Sequence, residues 1–160
     1  MRKVISNTTP ILSLLKINKL EILKELYGQV TIPNAVYQEV EEGKHKEFYK
    51  DLKKIDWLII KDIKDQNSRE YFVDLDDGEA EVLILAKELN ADLVILDEIL
   101  GRRYAKVLEF NLTGTLGVLL KAKEKGIIKS LKELLTELTE KGTWLNPKLI
   151  KEVLKISKEE

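Results

Sequence analysis

Four polar residues stand where an alternating strand and helix chain would expose chemistry: Asn7, Glu39, Glu79 and Asp97. Asp97 directly follows Leu93-Val94-Ile95-Leu96, an apolar run suited to a central parallel strand. Its backbone is therefore held by the core while its side chain emerges at the strand's carboxyl end. Asn7 follows Val4-Ile5-Ser6 in the same way. In open α/β sheets, ligands bind in the crevice outside those carboxyl ends, so both residues are expected to line one crevice. Glu79 opens a strong helix, where the helix dipole favours an anion whether or not it serves a ligand. Glu39 sits two turns into another helix, between Val36 and Val40 of the apolar face, and its direction is open. The chemistry available to such a set is narrow. There is no cysteine and a single histidine, His45, which excludes disulfides, thiolate nucleophiles, thiolate-bound zinc and a histidine metal site. Oxygen-ligated hard cations are the metals that remain.

A length of 160 residues with 44% hydrophobic content suits one domain with a sizeable core. The charged fraction of 34% is nearly balanced in sign and sums to −1, so any nucleic-acid site must be local rather than a property of the overall field. Met1-Arg2-Lys3-Val4 leads straight into a short apolar run without a signal-peptide core, and no long apolar stretch follows. The expectation is a soluble, cytoplasmic protein. Abundant Lys, Glu, Ile and Leu lean towards a thermophilic composition.

The elements that must position the four residues can be read in order. Val4-Ile5-Ser6 forms a strand, and Asn7-Thr8-Thr9-Pro10 passes it into a helix through cap residues and a proline suited to the first turn. A second short helix closes at Gly28. Gln29-Val30-Thr31-Ile32 is a second strand, and Pro33 opens the helix that carries Glu39. The polar run from Lys44 to Lys54 reads as an exposed helix and Trp57-Leu58-Ile59-Ile60 as a third strand. After Asp77-Gly78, an apolar-rich helix runs from Glu79 to Leu89 and leads through Asn90 to the strand ending at Asp97. A helix over Ile99 to Leu108, a short strand at Phe110-Asn111-Leu112 and a helix over Leu116 to Lys125 continue the alternation. Two amphipathic helices, Ser130 to Glu140 and Pro147 to Ile156, form an appended cover. The expected layout is an α/β domain over residues 1–126, a parallel sheet wrapped by helices, with a helical extension over 127–160 packed on it. The C-terminal helices carry more apolar stripe than a small sheet covers, which points to a homodimer. Trp57 and Trp144 are assigned to packing and His45 to the surface.

Five stretches together resemble the PIN-domain family, and more closely its archaeal and bacterial branch of unknown function. They are Ile5-Ser6-Asn7-Thr8-Thr9-Pro10, Val36-Tyr37-Gln38-Glu39-Val40, Leu75-Asp76-Asp77-Gly78-Glu79-Ala80-Glu81, Val94-Ile95-Leu96-Asp97-Glu98 followed by Gly101-Arg102-Arg103, and Thr113-Gly114-Thr115-Leu116-Gly117-Val118-Leu119. The ordered set carries the likeness rather than any one motif. It implies a three-layer α/β/α fold and a Mg²⁺- or Mn²⁺-dependent ribonuclease, resembling the toxins of toxin-antitoxin pairs, with RNA as substrate and a protein antitoxin as partner. It also implies that Asn7, Glu39, Glu79 and Asp97 form the catalytic site. Asp97 and Glu79 are then metal ligands, Glu39 a ligand or a base oriented on water, and Asn7 a neutral ligand or donor supported by Thr8. Two carboxylates about 4 Å apart repel by roughly 4 kcal/mol at an effective dielectric of 20, so converging acids imply a cation. One departure matters: Asn7 stands where most PIN domains place an aspartate, removing a charge and a base. The alternative implied is a weakened or inactive PIN-like module that binds RNA or a protein partner. Arg102, Arg103 and Thr8 are the candidate nucleic-acid-binding residues: the two arginines, about one turn beyond Asp97, could grip phosphate as planar forks or simply form an exposed helix face. A Rossmann site would need a glycine-rich turn after the first strand, which Asn7-Thr8-Thr9-Pro10 does not provide. Thr113-Gly114-Thr115-Leu116-Gly117 lacks the Gly-Lys-Ser/Thr ending of a phosphate loop, so its glycines are read as permitting close packing.

Overall fold

In the computed structural model, which describes residues 2–160, the most apolar strands lie at the centre of a five-stranded sheet. β1 (Val4–Ser6) and β4 (Leu93–Ile95) are buried at every position and run side by side, with Val4, Ile5 and Ser6 opposite Leu93, Val94 and Ile95. β2 (Val30–Pro33) flanks β1, β3 (Leu58–Lys61) lies outside β2, and β5 (Leu112–Thr113) flanks β4. Every pairing is parallel, in the order β3-β2-β1-β4-β5. The chain winds from β1 towards β3, then returns to the middle and winds the other way through β4 to β5. That reversal opens a crevice at the carboxyl ends of β1 and β4, where the connections depart in opposite directions.

Helices cover both faces, giving a three-layer α/β/α fold. α1 (Thr8–Lys16) and α2 (Ile22–Tyr27) follow β1, and α3 (Asn34–Glu41) follows β2. Gly28 takes φ 77° at the end of α2, a left-handed conformation that glycine adopts without steric cost. α4 (Asp77–Leu89) is buried from Gly78 to Ala86 and packs on β1, β2, α3 and α5 (Ile99–Val107). A helix so enclosed is apolar almost all round, which makes its two buried glutamates, Glu79 and Glu81, conspicuous. α6 (Thr115–Glu124) packs on α1 and α2, and α7 (Leu131–Glu140) and α8 (Pro147–Ile156) pack on α6 and on each other. Ser130 and Asn146 cap these last two helices by accepting from Glu133 N and Lys148 N.

Three expectations are corrected. The run from Lys44 to Lys54 is not a helix; it makes turns and then a single 3₁₀ turn at Leu52–Lys54, started by Asp51, whose side chain accepts from Lys53 N. Such a local side-chain bond competes with α-helix formation, and the run has no apolar periodicity to resist it. Trp144, in the connection between α7 and α8, is 79% exposed rather than packed. Trp57, by contrast, is buried and His45 is exposed. Thr8 does not support Asn7; its hydroxyl is committed elsewhere, as described next.

Candidate metal and nucleic-acid site

Asn7 occupies the N-cap position of α1, and Asn is among the best capping residues, yet its side chain makes no cap bond. Its backbone N–H instead donates to Ile95 O at 2.9 Å, fastening the end of β1 to β4. Its side-chain Nδ2 donates to Glu98 Oε2 at 3.1 Å. Its Oδ1 is buried and, alone among the described side-chain atoms so enclosed, has no hydrogen-bond partner. Glu98 in turn occupies the N-cap of α5, a position glutamate does not favour, and also makes no cap bond there. Its carboxylate accepts from Asn7 and from the Thr9 hydroxyl. Two cap positions have thus surrendered their capping role to face each other across the crevice.

Asp97 is fixed by the start of α6: Thr115 N donates to Oδ1 at 2.7 Å and Thr115 Oγ1 to Oδ2 at 2.6 Å. Burial pushes its carboxyl above the usual range, the Thr115 bonds oppose that, and Glu98 adds to it. Glu39 accepts from the Thr8 hydroxyl at 2.6 Å, which settles its direction: it points towards the β1 end of the crevice. Burial raises its carboxyl as well, with Asp76 contributing like charge. Glu79 is pushed up to about 8, first by burial, then by a hydrogen bond with Asp76 and by the charges of Asp76, Glu98 and Glu39. Its neighbour Glu81 is buried too, but it accepts from Ala35 N at 3.0 Å and faces Arg69, so it serves as an anchor for the start of α3.

The glycines of the motifs make room for these carboxylates. A Cβ on Gly78 would collide with the Glu39 carboxylate, one on Gly101 would stand 2.8 Å from Glu79 Oε2, and one on Gly114 would stand 2.5 Å from Asp97 Oδ1. These three glycines therefore set how closely each acid approaches the backbone.

The arginine pair separates. Arg102 turns inward, donating from Nη1 to Leu96 O at 2.7 Å, while Arg103 is exposed. Sequence reasoning singled out neither Glu98 nor Thr9, Asp76 and Thr115. The usable signal for Glu98 was a glutamate in a cap position immediately after a strand-end aspartate.

As they stand, the acids are spread along the edge and tied to threonine hydroxyls, and among the described residues no three of them close on a single point. The donor chemistry nevertheless fits a hard cation. Every side chain named is an oxygen donor, Asn7 Oδ1 is an unsatisfied buried carbonyl, and burial together with neighbouring like charge raises the Glu79 carboxyl, a penalty that a cation would relieve.

No curated protein and no solved structure is detectably similar to the chain. A family model described as PIN domain matches residues 3–159, nearly the full length. PIN domains are in general nucleases that act with divalent metal ions on nucleic acid, and no helix of the described residues is long and apolar enough to cross a membrane. The order of the strands, the acids at the edge of β1 and β4, and a match spanning the whole alternating domain make this chain a member of the PIN domain family.

Proposed function

We propose that the chain is a divalent-metal-dependent ribonuclease that hydrolyses RNA phosphodiester bonds in the cytoplasm, as the toxin of a toxin-antitoxin pair. The observation that carries this reading is the buried, unpartnered Asn7 Oδ1 placed beside Glu98 on a crevice edge that also bears Asp97, Glu79 and Glu39. Asp97, Glu79 and Glu98, with Asn7 as a neutral donor, would hold Mg²⁺ or Mn²⁺. Such an ion, when bound, supplies Lewis acidity towards the phosphate and lowers the pKa of a coordinated water. The chain's own residues supply the rest. Thr115 orients both oxygens of Asp97, Thr9 and Asn7 orient Glu98, and Thr8 fixes Oε2 of Glu39 so that this carboxylate is aimed for proton transfer from water. Arg103, exposed one turn beyond the strand end, is placed to meet a phosphate. Purified protein is expected to cut unstructured RNA with Mg²⁺ or Mn²⁺ and to stop in chelator. Cleavage that persists in chelator would refute the metal-dependent reading.

A second reading is a PIN-like module that binds RNA or a protein partner without cutting. It is favoured by Asn7, which adds no charge and cannot act as a base, and by the hydroxyl bonds that already occupy the carboxylates. Absence of cleavage with either metal, at protein concentrations that bind RNA, selects this reading over the first.

Two copies of the chain would pair through the C-terminal cover, itself one unit with the α/β domain. Leu149 and Ile156 on α8 are 45% and 59% exposed, although the helix otherwise buries Val153. Light scattering is expected to give twice the chain mass; a monomeric mass at working concentration contradicts the pairing.

A further inference from the structure

Arg102 stands half-buried in the first turn of α5, close to the strand end that bears Asp97. Its Nη1 donates to Leu96 O at 2.7 Å, a carbonyl just beyond β4, and that bond fixes the side chain against the crevice. A guanidinium carries five N–H donors, and among the described residues the side chain makes no other hydrogen bond and has no carboxylate within ion-pair distance. Gly114 leaves room for guanidinium and carboxylate side by side: a Cβ there would stand 2.5 Å from Asp97 Oδ1 and 3.4 Å from Arg102 Nη1. Asp97 feels the positive charge, which works against the rise that burial imposes on its carboxyl. Holding one carbonyl does not need a charge, and a partly buried charge with no partner is costly. The arrangement calls for an anion at the edge of the crevice.

We infer that Arg102 is a catalytic residue: anchored on Leu96 O, it offers its remaining donors to the non-bridging oxygens of the phosphate undergoing reaction. The inference rests on the nuclease reading and assigns this one residue a role in it. In two-metal sites a second ion, about 3.5–4 Å from the first, clamps those oxygens. This crevice has Asn7 in place of a carboxylate and a guanidinium beside Asp97, so it holds less negative charge for a second ion and supplies a fixed cation instead. The planar fork also matches two phosphate oxygens at once, which a lysine cannot do.

The experiment compares the whole protein with Arg102→Ala and Arg102→Lys in three measurements: RNA cleavage, Mn²⁺ affinity, and calorimetric titration of inorganic phosphate into Mg²⁺-saturated protein. Arg102→Ala is expected to cut with kcat lowered about 10²-fold and KM little changed, as when one preorganised donor is removed from a reaction centre. Its phosphate affinity should fall about tenfold, while Mn²⁺ should bind at least as tightly as in wild type, because a like charge has left the neighbourhood of the metal. Arg102→Lys keeps a donor for Leu96 O and a charge but loses the fork, so it should fold and still cut about tenfold more slowly than wild type. Lys87→Ala, on the exposed side of α4, is expected to match wild type throughout. Mn²⁺ affinity that falls in step with cleavage overturns the inference, since Arg102 would then only position Asp97 through the strand end. Phosphate that binds wild type and Arg102→Ala alike, or neither, overturns it as well, and so does full-rate cleavage by Arg102→Lys if the alanine variant does not fold. Cleavage that needs Asp97 but ignores Arg102 sinks the role of Arg102 alone. Phosphate binding that needs Arg102 in a protein that never cuts RNA sinks the nuclease reading and leaves Arg102 as the anion-binding group of the crevice.

Discussion

Replacing Asp97 by Asn is expected to lower metal-dependent RNA cleavage by about 10²–10³-fold, the usual consequence of removing one preorganised charged group from a reaction centre. The fold should survive the change. Thr115 N can still donate to a carbonyl at the Oδ1 position, and the Thr115 hydroxyl can rotate to accept from the new amide. Burial already raises the Asp97 carboxyl, so a neutral isostere removes an unfavourable desolvated charge. The variant should therefore melt at or above the wild-type temperature in chelator while cutting far less. Labelled-RNA cleavage assays run beside thermal melts separate the two effects. Cleavage at the wild-type rate would mean that this strand-end carboxylate takes no part in the reaction.

Asn7→Asp tests the one position where this chain departs from its family's pattern. The new carboxylate would stand where Nδ2 now donates to Glu98 Oε2 at 3.1 Å, turning a charge-assisted hydrogen bond into a like-charge contact. Loss of such a bond costs about 1.5–3 kcal/mol, which for a chain of this size lowers the melting temperature by roughly 5–10 °C in chelator. A cation should reverse the sign of the comparison, because hard ions prefer charged oxygen ligands to neutral ones. Saturating Mg²⁺ or Mn²⁺ is then expected to raise the melting temperature of the variant by more than that of wild type, since a ligand bound only by the folded state stabilises in proportion to its affinity. Equal shifts in the two proteins, measured by scanning fluorimetry with and without metal, would place the cation elsewhere.

The frame of the molecule was legible because its strands are short apolar runs bounded by cap residues and prolines. Val4-Ile5-Ser6 and Leu93-Val94-Ile95-Leu96 announce the centre of a parallel sheet, and Asn7 and Asp97 follow as its edge residues. Around Lys44 to Lys54 the sequence lacks the apolar periodicity that would hold a helix on the core, and the run forms turns and one 3₁₀ turn capped by Asp51. Glu39 shows the limit of helix-face reasoning. Its neighbours Val36 and Val40 are both buried, so it sits at the boundary of the apolar stripe, and only the Thr8 hydroxyl decides which way it turns. Glu98 was harder still. Its partner Asn7 is 91 positions away, and no local pattern encodes a contact that the sheet order alone creates. Thr115 was read as the opening of a helix, which it is, but its second use as the clamp on Asp97 depends on Gly114 leaving space for that carboxylate.

If the edge of β1 and β4 holds a single hard cation, Mn²⁺ binding followed by electron paramagnetic resonance will register it. Wild-type protein titrated with Mn²⁺ is expected to quench the free-ion signal with one equivalent bound, and both Asp97→Asn and Glu98→Gln are expected to weaken that binding by about tenfold or more. Wild-type protein that leaves the free Mn²⁺ signal undiminished, or variants that bind the ion as tightly as wild type, would contradict the claim and move the chain to the non-catalytic reading.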